Sequence, residues 1–164
     1  SMKECALNFH ASDWSERLEV YHTDFLEFKS NQKYDLVFSN PPFYKSTLVT
    51  TDHRKATAKH EQSLPIHLFL QKVNSILTPD GAVWIIIPFM DRRSWETNAA
   101  QNGLFVNRET HILGKKNNVP NRVILKLKKE KRNVVSEKHV IRNENGTYTE
   151  EYIELTKEFH GKEL

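Results

Sequence analysis

The chain has 164 residues, with 24 Lys or Arg against 21 Asp or Glu, a formal net charge of +3, and one cysteine, Cys5. A length of this order suits a single buried core, and 38% hydrophobic with 27% charged residues is the balance of a soluble globular protein. An internal disulfide is excluded, and the longest apolar run, Ala82 to Met90, is too short to span a bilayer. No secretory signal is visible, so a cytoplasmic location without a membrane partner is expected.

Met2 to Ala11 predicts a helix with Met2, Cys5, Ala6 and Phe9 on one face. After a connector at Asp13 to Arg17, Leu18 to His22 alternates and predicts a strand ending at Thr23-Asp24, with Asp24 and Phe25 at its carboxyl end. Asp24 is equally suited to a cap or a turn. Tyr34 to Phe38 predicts a short buried strand that stops at Ser39-Asn40. Pro41 and Pro42 follow; proline cannot donate to a ladder, and it biases the preceding residue away from the helical region. Asn40 should therefore be held stiffly at the carboxyl end of a strand, where open α/β sheets place their ligands.

This turn has specific chemistry. The Asn40 amide oxygen and the Pro41 carbonyl are adjacent acceptors, which suit a planar –NH2 group. Phe43 can stack on the ring that carries the amine, and Tyr44 can line the same pocket. Lys45 to Gln62 is polar and carries Arg54, Lys55, Lys59 and His60, either as phosphate contacts or as a solvated loop. His53, His60 and His67 recur every seven residues, which is not zinc spacing, and no metal site is expected.

Leu64 to Leu77 predicts an amphipathic helix with Leu64, Leu68, Phe69, Val73, Ile76 and Leu77 as its apolar stripe. Thr78 to Gly81 is a turn signal, and Ala82 to Ile87 predicts a central strand apolar on both faces, ended by Pro88. A helix over Ser94 to Asn102 stops at Gly103; strands follow at Phe105 to Leu113 and Arg122 to Leu127, joined by a hairpin-like connection. From Gly114 to Arg132 there are eight Lys or Arg and one acid, an electrostatic footprint for RNA in which Lys115, Lys116 and Arg122 are the candidate contacts, or else a solvated strand end. Val134 to Ile141 predicts another strand, Asn143 to Gly146 a turn, and Thr149 to Phe159 a closing helix capped by Thr149.

The stretch Asp35 to Phe43, DLVFSNPPF, resembles the N-P-P-[FY] motif of S-adenosylmethionine-dependent amino-methyltransferases. Asn8 to Asp24, Lys59-His60, Leu77 to Pro88 and Tyr152 to Phe159 extend the likeness to the bacterial tRNA1(Val) (adenine(37)-N6)-methyltransferase family. The resemblance implies an α/β, class I methyltransferase (Rossmann-like) three-layer sandwich: a mostly parallel sheet with one antiparallel strand near an edge, in one domain over 1–164. It implies methyl transfer to adenine N6 of tRNA, with Asn40, Pro41, Pro42 and Phe43 as the catalytic motif and Asp24, Phe25 and Asn40 facing the cofactor. The N-P-P-F motif alone is shared with ribosomal guanine-N2 methyltransferases, and its N-P-P-Y form with enzymes methylating glutamine or DNA. A non-catalytic RNA-binding fragment is the reading of another class.

One expected feature is missing from the sequence. The family's first strand ends in a glycine-rich turn that holds the methionine part of S-adenosylmethionine, whereas Gly81, Gly103, Gly114, Gly146 and Gly161 are all isolated. By the resemblance the fold is amino-terminally truncated, and the absent strands lie between those at Leu18 to Asp24 and Tyr34 to Asn40. S-adenosylmethionine is then not expected to bind this chain alone. The exposed strand edges invite a non-native or swapped dimer.

Overall fold

A computed structural model describes residues 2–41 and 64–159. By contacts the chain falls into two units, Ser1–Asn31 and Gln32–Leu164.

In the first unit, α1 spans Met2–His10 and a short 3-10 turn spans Ser15–Arg17. The strand expected at Leu18 to His22 does not form; residues 18–22 are irregular. Alternation supplies only the side-chain half of a strand. Its backbone needs a partner ladder, and none of the described strands pairs with it. Leu18, Val20 and Tyr21 accordingly stay exposed.

The second unit is built on a five-stranded sheet. Its elements are β1 (Tyr34–Ser39), α2 (Ile66–Ile76), β2 (Leu77–Pro88), α3 (Arg92–Gln101), β3 (Phe105–Lys115), β4 (Arg122–Lys128), β5 (Val135–Arg142) and α4 (Glu150–Thr156). The strand order is β1-β2-β4-β3-β5. β1 pairs parallel to β2 and β5 parallel to β3, while β4 runs antiparallel to both its neighbours. The expected single antiparallel strand is therefore present. It lies centrally rather than near an edge, because β5 adds beyond β3.

Register assigns the two faces. Val37 pairs with Val83, and Val83, Ile85 and Ile87 pair across to Leu127, Leu125 and Val123. Directly opposed residues share a face. These β2 and β4 residues are buried, together with Phe69, Leu70 and Val73 of α2 and Trp95 and Ala99 of α3. Trp95 packs edge-on against Phe69 with ring centroids 5.8 Å apart. The predicted stripe of α2 is largely right; Leu70 joins it and Leu68 is only half-buried.

Two local expectations change. The Thr78 to Gly81 turn signal is absorbed into β2: register jumps from Tyr34↔Leu77 to Leu36↔Ala82, so five steps on β2 oppose two on β1. An added Cβ on Gly81 would lie 3.0 Å from the Tyr34 carbonyl oxygen, so glycine admits this close approach. Second, β1 is not buried. It is the edge strand, with Leu36 47% and Phe38 71% exposed.

Helix ends follow local chemistry. Gly103, at φ 71°, ends α3 in the left-handed region. Thr149 Oγ1 accepts from the Tyr152 N–H at 3.2 Å, the predicted cap of α4. The turn at Asn143 closes through the Gly146 N–H donating to the Asn143 carbonyl at 3.0 Å, with Gly146 at φ 92°.

Candidate active site

β1 and β2 run parallel, so their carboxyl ends open on the same side of the sheet. Asn40 is the first residue after β1 and is exposed; its amide makes no hydrogen bond among the described residues. Pro41 follows, half-buried. Pro42, Phe43, Tyr44, Arg54, Lys55, Lys59 and His60 lie outside the described residues.

Beside Asn40 lies a depression of about 490 Å³ lined by Phe38, Ser39, Asn40, Trp84, Ile85, Ile86 and Ile124. Phe38 and Trp84 are a directly opposed pair, as are Ile86 and Ile124, on the face away from α2 and α3. Lys126 Nζ stands 5.3 Å from the Trp84 ring centroid. The sequence places Phe38, Trp84 and Ile86 in a buried interior, and the structure leaves them on an open face. Their alternation with Val83, Ile85 and Ile87 is the signal that marks a second face, once the strand is known to meet helices on one side only.

Asp24 and Phe25 belong to the first unit. Asp24 takes the turn role: its Oδ1 accepts the Leu26 N–H at 2.7 Å, and its carbonyl accepts from Glu27 and Phe28. It does not end a strand, because that strand is not formed. Phe25 is half-buried in the same turn.

The basic stretch from Gly114 to Arg132 is not one patch. β4 carries it from one end of the sheet to the other. Lys115, Lys116 and Arg122 lie at the end where β2 finishes, since Arg122 pairs with Pro88 and with Ile112. Lys128 pairs with Ala82, so Lys128 to Arg132 lie at the opposite end. There Lys129 Nζ donates to the Leu77 carbonyl at 3.0 Å, and Arg132 pairs with Glu130 at 2.7 Å. That contact holds the Glu130 carboxyl below the usual glutamate range.

Two further charged groups border the site end. The buried Glu109 takes Arg92 Nε at 2.5 Å and faces His111 Nε2 at 3.3 Å. On the open face Glu137 accepts from Thr110 Oγ1 at 2.7 Å and pairs with Arg108 at 3.1 Å. The Thr110 hydrogen bond first, and then the Arg108 charge, pull the Glu137 pKa down. Among the described residues, no helix is long and apolar enough to cross a membrane, and no three candidate ligands are grouped to hold a metal.

Comparison with known proteins adds what geometry alone does not. Residues 3–113 match the family model described as Eco57I restriction-modification methylase. A tRNA1(Val) (adenine(37)-N6)-methyltransferase of Christiangramia forsetii is 33% identical, the match covering 94% of this chain and 66% of that protein. The enzyme of the same name from Bacteroides fragilis is 31% identical, over 98% of this chain and 69% of the relative. The chain thus spans about two thirds of the length of these relatives. Among solved structures, a predicted O-methyltransferase from Agrobacterium tumefaciens superposes with a TM-score of 0.66 at 14% identity, covering 94% of this chain and 73% of that one. The mitomycin 7-O-methyltransferase MmcR superposes with a TM-score of 0.53 at 12% identity, covering 79% and 39%. These two likenesses speak for the methyltransferase fold only. With the family-model match, the identity to these relatives and the fold in agreement, the chain belongs to the tRNA1(Val) (adenine(37)-N6)-methyltransferase family.

Proposed function

We propose that this chain carries the target-amine side of an N-methyltransferase active site, acting on N6 of an adenine in tRNA, and that residues 1–164 form part of one methyltransferase domain. The observation that carries this reading is the Asn40 amide at the carboxyl end of β1, exposed and without a hydrogen bond among the described residues, followed by Pro41, in a chain of this family. In this reading the Asn40 amide oxygen and the Pro41 carbonyl accept the two hydrogens of the amine. Holding both hydrogens turns the nitrogen lone pair toward the incoming methyl group and fixes the line of attack. Phe43 and Tyr44 would hold the base, which must leave its stack to reach the turn. The names of the relatives favour adenine over the guanine and glutamine alternatives.

S-adenosylmethionine would supply an electrophilic methyl group. No glycine-rich segment of the kind that seats its methionine part is present in the chain. Binding by this chain alone is therefore not expected. The outer edge of β1, which pairs with no further strand among the described residues, and the exposed Leu36 and Phe38 support the further proposal that copies of this chain associate through it.

The test is methyl transfer to a tRNA transcript by this chain and by a version lengthened to the relatives' full size. Asn40→Ala in the active form should lower transfer by at least about 100-fold with an unchanged circular-dichroism spectrum. Near-normal transfer would remove Asn40 from the chemistry.

A further inference from the structure

The β3–β4 connection gathers side chains of which several make no hydrogen bond or ion pair among the described residues. Asn118 and Asn121 both approach Gly114: a Cβ built there would sit 3.7 Å from each side-chain amide nitrogen. Neither amide makes a hydrogen bond among the described residues. Lys116 and Arg122 flank them, exposed and without a carboxylate partner among the described residues. Lys115 is braced by its Nζ donating to the Glu144 carbonyl at 2.8 Å, which keeps its charge beside the turn.

β5 extends the row. Arg142 pairs in register with Lys115. Its guanidinium lies 4.1 Å from the Tyr148 ring centroid and donates to the Gly146 carbonyl at 2.7 Å. An arginine held this way has its guanidinium plane fixed and keeps N–H donors beyond the one given to Gly146. The acids at this end do not cancel the row: Glu109 is committed to Arg92, Asp91 is buried, and Glu144 is the one exposed carboxylate on the adjoining turn.

We propose that Lys115, Lys116, Asn118, Asn121, Arg122 and Arg142 form a seat for the phosphodiester backbone of the RNA substrate. Two amide donors at a side-chain-free glycine, with cationic side chains on the adjoining strand tips, suit an anion with several acceptor oxygens. The row occupies the tips of β4, β3 and β5, on the same side of the sheet as Asn40. At strand spacing, the β3–β4 connection stands roughly 10–14 Å across the sheet from β1, a reach of a few nucleotides. The seat rests on the reading of Asn40 as the target-amine residue, since it positions RNA flanking the base held there.

The experiment is fluorescence anisotropy of a tRNA transcript with the whole chain across a range of salt concentrations. Alongside it, the side-chain amide resonances of Asn118 and Asn121 are followed during titration with the transcript or with inorganic phosphate. Lys116→Ala with Arg122→Ala should weaken binding on the order of 10-fold and lower the salt slope by about 2, while Lys128→Ala with Lys131→Ala at the other end leaves both unchanged. Both amide resonances should move with RNA at concentrations where free phosphate moves neither. The seat is refuted if the paired variant binds like the unmodified chain, if the chain binds no RNA, or if phosphate alone moves the amides. Failure of the Asn40 reading looks different and is read on the version lengthened to the relatives' full size: Asn40→Ala there still methylates RNA that is held through these residues, whereas transfer and binding indifferent to Lys116 and Arg122 keep Asn40 and remove the seat.

Discussion

Gly81→Ala is the sharpest test of how β1 is held. The new methyl carbon would lie 3.0 Å from the Tyr34 carbonyl oxygen, 3.0 Å from Thr78 Oγ1 and 3.1 Å from Leu77 Cδ2. Thr78 can turn, although it then loses its 2.9 Å bond to Asp35 Oδ1. The Tyr34 oxygen belongs to the backbone of the paired strand and cannot move without moving β1. Relief therefore comes from separating β1 from β2 at the foot of the strand that carries Asn40. Overpacking of this kind costs about 1–3 kcal/mol. For a chain of this size, each kcal/mol lowers Tm by roughly 2–4 °C, so a drop of about 2–12 °C is expected in thermal unfolding followed by circular dichroism. Gly114→Ala is the matched control, because its new carbon meets nothing closer than 3.7 Å. A Gly81→Ala protein melting within a degree of the original would refute the close approach and the register that creates it.

Three other outcomes follow from burial and charge. Trp95→Ala should destabilise by about 3–5 kcal/mol in urea unfolding, because Trp95 is fully buried against Phe69. Phe38→Ser, at a side chain 71% exposed, should change monomer stability by less than about 0.5 kcal/mol but reduce any concentration-dependent association seen by sedimentation. A large stability loss there would mean that Phe38 is covered in solution. The Glu137 pKa is lowered in the folded chain, so its contribution is full above the ordinary glutamate pKa and is lost as pH falls through the depressed folded value. Glu137→Gln should therefore flatten the acid side of the stability profile and leave its alkaline side alone; superimposable profiles would refute the Thr110 and Arg108 contacts as the cause.

Much of the candidate site is legible without coordinates, because its determinants are local. Asp35 to Phe38 is β-forming, proline cannot continue a ladder, and Asn40 falls between them. The same holds for the core stripe of α2, the Thr149 cap and the glycine that ends α3. Each depends on neighbours within a few residues.

What only the tertiary structure decided depends on partners distant in the chain. Leu18 to His22 has the alternation of a strand, but a strand exists only where another backbone takes up its hydrogen bonds. Thr78 to Gly81 has the residues of a turn, but pairing with Tyr34 and Leu36 draws it into β2 as an irregularity. The basic run from Gly114 to Arg132 is continuous along the chain and divided in space, because β4 crosses the sheet between its two halves. For the same reason Asn118 and Asn121 carry no signal in the sequence: both amides come together at Gly114, at the strand tip where Arg142 of a different strand pairs in register with Lys115. Sequence neighbours determine how a segment bends and where it stops, whereas burial, pairing and the gathering of charge are set by which segments the sheet brings side by side.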